Sequence, residues 1–328
     1  MTYTIAGPLL EVRGLAKRYP GFGLDGVAFS LDSGYIMGLI GRNGAGKTTT
    51  LKCVMGLVRP DAGSVRVLGQ DFRGNELALK QQIGFALGEV AFYPRSRIGA
   101  ITDVYRRFYD NWDAAAYRGY LERFELDERK QVAELSAGMR VKYSLALALS
   151  HGARLLILDE PTSGLDPVSR DDLLDVFRAI IEDGERSILF STQITSDLDK
   201  CADLITYIAG GRVVAAAETD ELLASFRVVR GAKAQLDSAR GLLIGAKEND
   251  YGFTGLARTA DLGQLAGLAQ APATVEDVMI YHERSRAAGG EPVLGEMVLR
   301  EPDPVILREV AGSSPSMRKT TATGGPSC

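Results

Sequence analysis

The chain of 328 residues is 45% apolar, 24% charged and 7% aromatic, an ordinary globular composition with enough apolar side chains for one large core or two smaller ones. Its 38 basic and 42 acidic side chains leave a net charge of -4, so it lacks the basic field that sequence-independent nucleic-acid binding needs. Three cysteines (Cys53, Cys201, Cys328) form no CxxC pair, and two distant histidines (His151, His282) exclude a His-rich metal site. The N-terminus has no basic segment followed by an apolar one, and no uncharged apolar run reaches the ~18 residues of a membrane span. The expectation is a reduced, soluble chain that works at a membrane only through a partner.

In chain order, LLEV, GVAFSL and YIMGLIG within residues 9–41 read as strands leading into a glycine-rich loop. A helix is expected over 46–57, closed by Pro60 and Gly63, and a second strand pair at SVRVLG and IGFALG. Residues 97–150 read as mostly helical, with aromatics between charges. RLLILDE, a helix near 167–183, RSILFST, a short helix near 195–201 and DLITYIA then alternate, which predicts a parallel sheet with helices on both faces. Gly210-Gly211 reads as a hairpin turn. After a helix at TDELLASF a boundary is expected near 226–232, followed by a small α+β appendage over 229–285 that ends in the amphipathic TVEDVMIYHERSR. Residues 286–328 hold five of the twelve prolines and six glycines, a composition expected to stay disordered.

Gly41-Arg-Asn43-Gly44-Ala45-Gly46-Lys47-Thr48-Thr49 fits G-x-x-x-x-G-K-[ST], with an expected strand before it and an expected helix after it. Glycines there let backbone N–H groups wrap a phosphate chain at a helix N-terminus. Lys47 would bring a cation to the β- and γ-phosphates, and Thr48 a hydroxyl to Mg²⁺. The motif predicts a nucleoside triphosphate site. Leu155-Leu-Ile-Leu-Asp159-Glu160 reads as a buried strand whose C-terminal end delivers Asp159 beside those phosphates, with Glu160 placed to polarise an attacking water.

Leu135-Ser136-Ala-Gly138-Met139 stands between these two motifs, and Ser163-Gly-Leu-Asp166-Pro167 follows the second. In this order and spacing the set resembles the ATP-binding subunits of ABC transporters over roughly residues 8–226. The resemblance implies an α/β fold, the P-loop NTPase of the ABC ATPase cassette. That fold combines a parallel sheet core, an antiparallel β subdomain and a helical subdomain, here at about 90–150, with the appendage outside it. It implies ATP and Mg²⁺ as ligands, and catalysis by Glu160 with the residue at the switch position. It further implies two sites formed between two subunits, identical or different, with Ser136 and Gly138 reaching the partner's γ-phosphate and Asp166 coupling the sites. Tyr19, 28 residues before Lys47, stands where the family stacks an aromatic on adenine; an edge-strand core residue is the alternative.

RRFYDNWD, LSAGMRVKYSLALALSH, DEPTSGLDPVSRDDLLD and ILFSTQITSDLDKCADLITYI are together similar to the ATP subunits of lantibiotic, bacitracin and phenol-soluble-modulin exporters. ATVEDVMIYH resembles the C-terminal region of that subgroup. The implied activity is ATP hydrolysis powering a separately encoded transmembrane permease that exports peptides or other amphipathic compounds. The implied location is cytoplasmic, on the inner face of the membrane through that permease, with no nucleic-acid partner. A nucleotide-gated regulator with little hydrolysis and a non-transport ABC protein are the alternatives.

Three positions depart from the pattern. Ala137 and Met139 stand in the signature segment where Gly and Gln are commoner. Gly88 aligns with the Q-loop glutamine, so that Glu89 is either its metal-reaching substitute or a solvated acid. Gln193 replaces the switch histidine, exchanging a chargeable donor for a neutral amide. His151 reads as a packing or capping residue. Some of Phe92, Tyr93, Tyr105, Phe108, Tyr109 and Trp112 are expected to line a permease-docking cleft, and most to form a small helical core.

Overall fold

The computed structural model describes residues 7–87 and 93–287. The chain opens with strands β1 (Leu10–Tyr19) and β2 (Phe22–Leu31), an antiparallel hairpin in which Tyr19 faces Phe22. Strand β3 (Ile36–Ile40), buried at every residue, runs into the glycine loop, and α1 (Lys47–Val54) starts at its lysine. Strands β4 (Ala62–Val67) and β5 (Gln70–Asp71) join the first hairpin in a four-stranded sheet of order β2-β1-β4-β5. A short helix α2 (Glu76–Lys80) leads into β6 (Ile83–Leu87).

The expected pairing of SVRVLG with IGFALG is incorrect. β4 pairs antiparallel with β1, whereas β6 is the parallel edge of the other sheet. Local apolar runs announce strands but carry no information on which sheet receives them, and here α2 carries the chain across from one to the other.

Helices α3 (Ile98–Tyr105), α4 (Ala114–Arg123) and α5 (Ala137–Ser150) form the helical region. A buried hydroxyl cluster ties them: Thr102 Oγ1 lies 2.7 Å from Tyr117 Oη and 2.8 Å from Tyr143 Oη, and Tyr143 donates to the Ile98 carbonyl at 2.9 Å. Of the aromatics expected here, Tyr105, Tyr109 and Trp112 form a half-buried ring cluster with His151, while Tyr93 and Phe108 are exposed. The buried rings among the described residues of this region are instead Tyr117, Phe124 and Tyr143. Phe92, Gly88 and Glu89 lie outside the described residues.

Strand β7 (Leu155–Asp159), helix α6 (Pro167–Ile181), strand β8 (Ser187–Thr192), helix α7 (Thr195–Cys201), and strands β9 (Leu204–Ala209) and β10 (Arg212–Glu218) complete the main sheet. Its order is β10-β9-β3-β8-β7-β6, parallel except for β10, which returns from β9 through Gly210-Gly211. Alternation along the strands assigns the two faces. Ile36, Leu156, Ile188 and Ile205 join the core that holds Tyr143 and Leu147 of α5 and Leu174 and Phe177 of α6. Met37, Leu155, Leu189 and Leu204 join the core that holds Leu51 and Val54 of α1 and the apolar side of the β1–β2–β4 sheet. Helices thus cover one face, and the second is shared between one helix and an antiparallel sheet.

The C-terminal part follows without a linker. Helix α8 (Thr219–Ala224) runs directly into β11 (Phe226–Gly231), and α9 (Leu236–Ala239), β12 (Leu243–Asn249), β13 (Gly252–Arg258) and β14 (Ala269–Pro272) complete a sheet of order β12-β13-β11-β14. Helix α10 (Val275–Ala287) packs against α7 and β12, and its Val275, Val278 and Tyr281 belong to the main core. The first two residues of the tail expected at 286–328 are therefore the end of a helix, and the remainder lies outside the described residues. Among the described residues no helix is long and apolar enough to cross a membrane.

Candidate functional site

The glycine loop owes its shape to close backbone packing. Gly41 adopts φ 150°, and a Cβ there would stand 2.2 Å from the Ile208 carbonyl oxygen. Gly44 and Gly46 also take positive φ, a region L-residues with side chains rarely adopt. The β9–β10 turn braces the loop from behind: Gly211 donates its N–H to the Ala45 carbonyl at 3.0 Å and accepts from Asp25 N–H at 2.8 Å. Parallel-strand geometry thus places the loop at the C-terminal ends of β3 and β9, where open α/β sheets hold ligands.

A cleft of about 560 Å³ opens over the loop, lined by Arg42, Asn43, Gly44, Gly46, Lys47, Thr48 and Thr49 together with Glu160, Gln193, Gly21 and Phe22. Lys47 is 6% exposed; its ammonium donates to the Gly41 carbonyl at 2.7 Å and lies 3.6 Å from Glu160 Oε1. Burial of that lysine is tolerable because both partners compensate lost hydration. Asp159, at the end of β7, is buried and accepts a hydrogen bond from the Ser191 hydroxyl. Glu160 has φ 52°, a left-handed conformation unusual for a residue with a side chain. Its N–H donates to the Ser191 carbonyl at 3.0 Å and hydroxyl at 3.1 Å, which holds that conformation, and Glu160 Oε2 accepts from Gln193 N–H at 3.3 Å. Strained backbone of this kind is sustained only by surrounding contacts, and it turns the carboxylate toward the lysine.

Ser136, Gly138 and Asp166 form a second group that does not line this cleft. Ser136 caps α5, accepting from Met139 N–H at 3.2 Å. Asp166 caps α6, accepting from Val168 and Ser169 N–H, each at 3.1 Å, and from the Ser169 hydroxyl at 2.6 Å. That hydroxyl, followed by the amides, holds the Asp166 carboxyl below the usual carboxylate range. The two caps meet, since a Cβ on Gly138 would touch Leu165 at 3.4 Å.

Tyr19 is exposed and does not line the cleft. It stacks on Phe22, with ring centroids 6.3 Å apart, and Phe22 is the aromatic that faces the loop. Sequence reading missed Phe22, Arg42 and Ser191. The first depends on how the β1–β2 turn rotates, the second occupies a variable position of the motif, and the third shows only as the hydroxyl in the run FST.

A profile of the ABC transporter family matches residues 24–163. The daunorubicin resistance ATP-binding protein DrrA3 of Streptomyces coeruleorubidus is 36% identical over 228 residues, covering 67% of this chain and 71% of its own. The chain belongs to the ATP-binding subunits of ABC transporters. As such it is a nucleotide-binding ATPase of a transport system. The bacitracin transport ATP-binding protein BcrA of Bacillus licheniformis is 29% identical over 201 residues, 61% of this chain and 66% of its own. A solved ATP-binding subunit of an ABC transporter superposes with a TM-score of 0.59 at 29% identity, covering 65% of this chain and 91% of that one. The P-loop NTPase fold of the cassette, expected from the ordered motifs, is therefore the fold found, and the C-terminal sheet lies outside the residues that the family profile matches.

Proposed function

We propose that this ATP-binding subunit hydrolyses MgATP in the cleft over Gly41–Thr49 and powers export of peptides or other amphipathic compounds by a separately encoded permease. The observation that carries this is the convergence of Lys47 and Glu160, from two separate sequence motifs, at 3.6 Å across the cleft floor. Without nucleotide the ammonium is balanced by the carboxylate. An arriving γ-phosphate takes over the ammonium as the stronger anion, which releases Glu160 to accept a proton from an attacking water. Gln193, beside Glu160, offers a neutral amide donor to the developing charge.

The donor set is all oxygen, the Thr48 hydroxyl with the Asp159 carboxylate fixed by Ser191, which suits Mg²⁺. Bound there, Mg²⁺ supplies charge neutralisation on the phosphates. Glu89 stays a proposed further ligand, and Tyr19 a proposed adenine contact, stacked on the Phe22 that lines the cleft.

Ser136, Gly138 and Asp166 sit away from the cleft of their own chain, which supports a dimer in which they close over ATP held by a second ATP-binding subunit. A small apolar recess of about 120 Å³ formed by Met55, Leu57, Lys80, Ile83 and Phe85, with Leu57 and Phe85 exposed, supports docking of the permease at the β6 edge. That docking would hold the subunit on the cytoplasmic face of the membrane. Relatives named for daunorubicin resistance and bacitracin transport support an amphipathic cargo.

Lys47→Ala tests the site. It removes two charge-assisted contacts to phosphate, each worth roughly 1.5–3 kcal/mol, so affinity for a fluorescent ATP analogue should fall by about 100-fold or more. Unchanged affinity would remove the loop as the nucleotide site.

A further inference from the structure

Helix α10 reaches the phosphate loop. Glu283 on that helix is 17% exposed in its side chain, and three groups surround its carboxylate. Tyr207 of β9 donates its hydroxyl to Oε1 at 2.9 Å, Arg286 donates to the same oxygen at 3.3 Å, and Arg42 lies 3.6 Å from Oε2. His282, one residue earlier, is buried with its Nδ1 3.3 Å from the same tyrosine hydroxyl. Tyr207 is itself buried in the main sheet, so the carboxylate is anchored on a rigid element.

Arg42 differs from its neighbours in this cluster. Its side chain is 72% exposed, lines the nucleotide cleft, and belongs to the loop between Gly41 and Asn43. A guanidinium is a strong phosphate ligand, with donors arranged to meet two phosphate oxygens at once. Here it is drawn instead toward a fixed carboxylate at the edge of the cleft.

We propose that Glu283 is a positioning residue that restrains Arg42, so that the C-terminal helix sets the affinity of the phosphate loop for ATP. Phosphate must compete with Glu283 for the guanidinium, and only the surplus attraction contributes to nucleotide binding. By reciprocity, bound nucleotide loosens the hold of the loop on α10 by the same factor. A helix beyond the residues that the family profile matches thereby senses whether the cleft is filled. Nothing in the sequence announces the contact, because Arg42 and Glu283 are 241 positions apart and each reads as a solvated charge.

The inference rests on the loop being the ATP site, and the experiment separates the two. Affinity for a fluorescent ATP analogue, and KM and kcat for MgATP, are measured on the full chain, on Glu283→Gln, on Arg42→Ala and on the double variant, with Lys47→Ala alongside. Glutamine is isosteric and keeps an oxygen for Tyr207, and melting curves check that the fold persists. Glu283→Gln is expected to tighten nucleotide binding and lower KM by about three- to tenfold with kcat nearly unchanged, and to lose that effect when Arg42 is absent. Unchanged or weaker affinity in Glu283→Gln overturns the proposal, as does an equal gain in the Arg42→Ala background, which would mean a direct field of Glu283 on ATP. Retained affinity in Lys47→Ala would instead overturn the site assignment beneath it.

Discussion

Acidification should loosen the joint between the helical region and the main sheet, and His151 sets the size of the effect. This residue caps the C-terminus of α5, the helix whose N-terminus carries Ser136 and Gly138. Its ring stacks on Tyr109 with centroids 3.7 Å apart and an interplanar angle of 13°. Its Nδ1 lies 3.1 Å from the Gln81 carbonyl, which can only accept, so the proton sits on Nδ1 and the neutral ring leaves Nε2 bare. Nε2 is buried without a hydrogen-bond partner among the described residues, and protonation would place a charged N–H there. Burial accordingly pushes the imidazole down to about 4, against the ordinary 6.5. A depressed pKa means stability fully present above about pH 6.5 and lost as pH falls toward 4, because the unfolded chain binds the proton first. With 1.36 kcal/mol per pKa unit, the loss is about 2 kcal/mol by pH 5 and on the order of 3 kcal/mol at the lower end. The assay is chemical denaturation of the full chain and of His151→Phe at a series of pH values from about 7 to about 4.5. Phenylalanine keeps the stack on Tyr109 and removes the titration, and carboxylates common to both proteins cancel in the difference. The stability gap between the two should shift toward the variant by about 2 kcal/mol at pH 5 relative to pH 7. Parallel pH profiles would show that His151 does not set the acid sensitivity.

Two further outcomes follow from the cleft. Gln193→His restores a chargeable donor beside Glu160 and should raise steady-state ATP hydrolysis several-fold, roughly 1 kcal/mol of barrier; an unchanged or lower rate would mean that the amide suffices. Gly211→Ala should destabilise the chain by about 2 kcal/mol or more and weaken nucleotide binding, because φ is 79° and the new Cβ would stand 1.8 Å from the Gly23 carbonyl oxygen, forcing the turn off Ala45; a melt and a nucleotide titration check both, and wild-type values in each would contradict the brace.

Much of this molecule was legible because its signals are local. The loop at Gly41–Thr48, the buried run ending at Asp159 and the alternation from β7 to β9 each follow from residue types within a few positions of one another. Gly210-Gly211 announced a tight turn, and both take positive φ. What stayed hidden depends on distant chain segments. The partners of β4 and β6 are chosen by the packing of the two cores. The positive φ of Glu160 depends on Ser191, 31 residues away, and the place of Phe22 beside the loop on the hairpin that carries it. Short apolar runs broken by glycines read as an appendage over 229–285, yet Val275, Val278 and Tyr281 enter the main core, because an amphipathic helix shows that it has an apolar face and not what covers it.

Glu160 is proposed as the base for hydrolysis of ATP held by Lys47. The most direct measurement is steady-state hydrolysis of MgATP by the full chain and by Glu160→Gln, with nucleotide affinity determined on the same samples. Removing a positioned general base should slow turnover by about 100-fold or more while ATP still binds, and the variant should run as a dimer on sizing in MgATP. Turnover at the wild-type rate in Glu160→Gln, with nucleotide bound, would exclude Glu160 as the base.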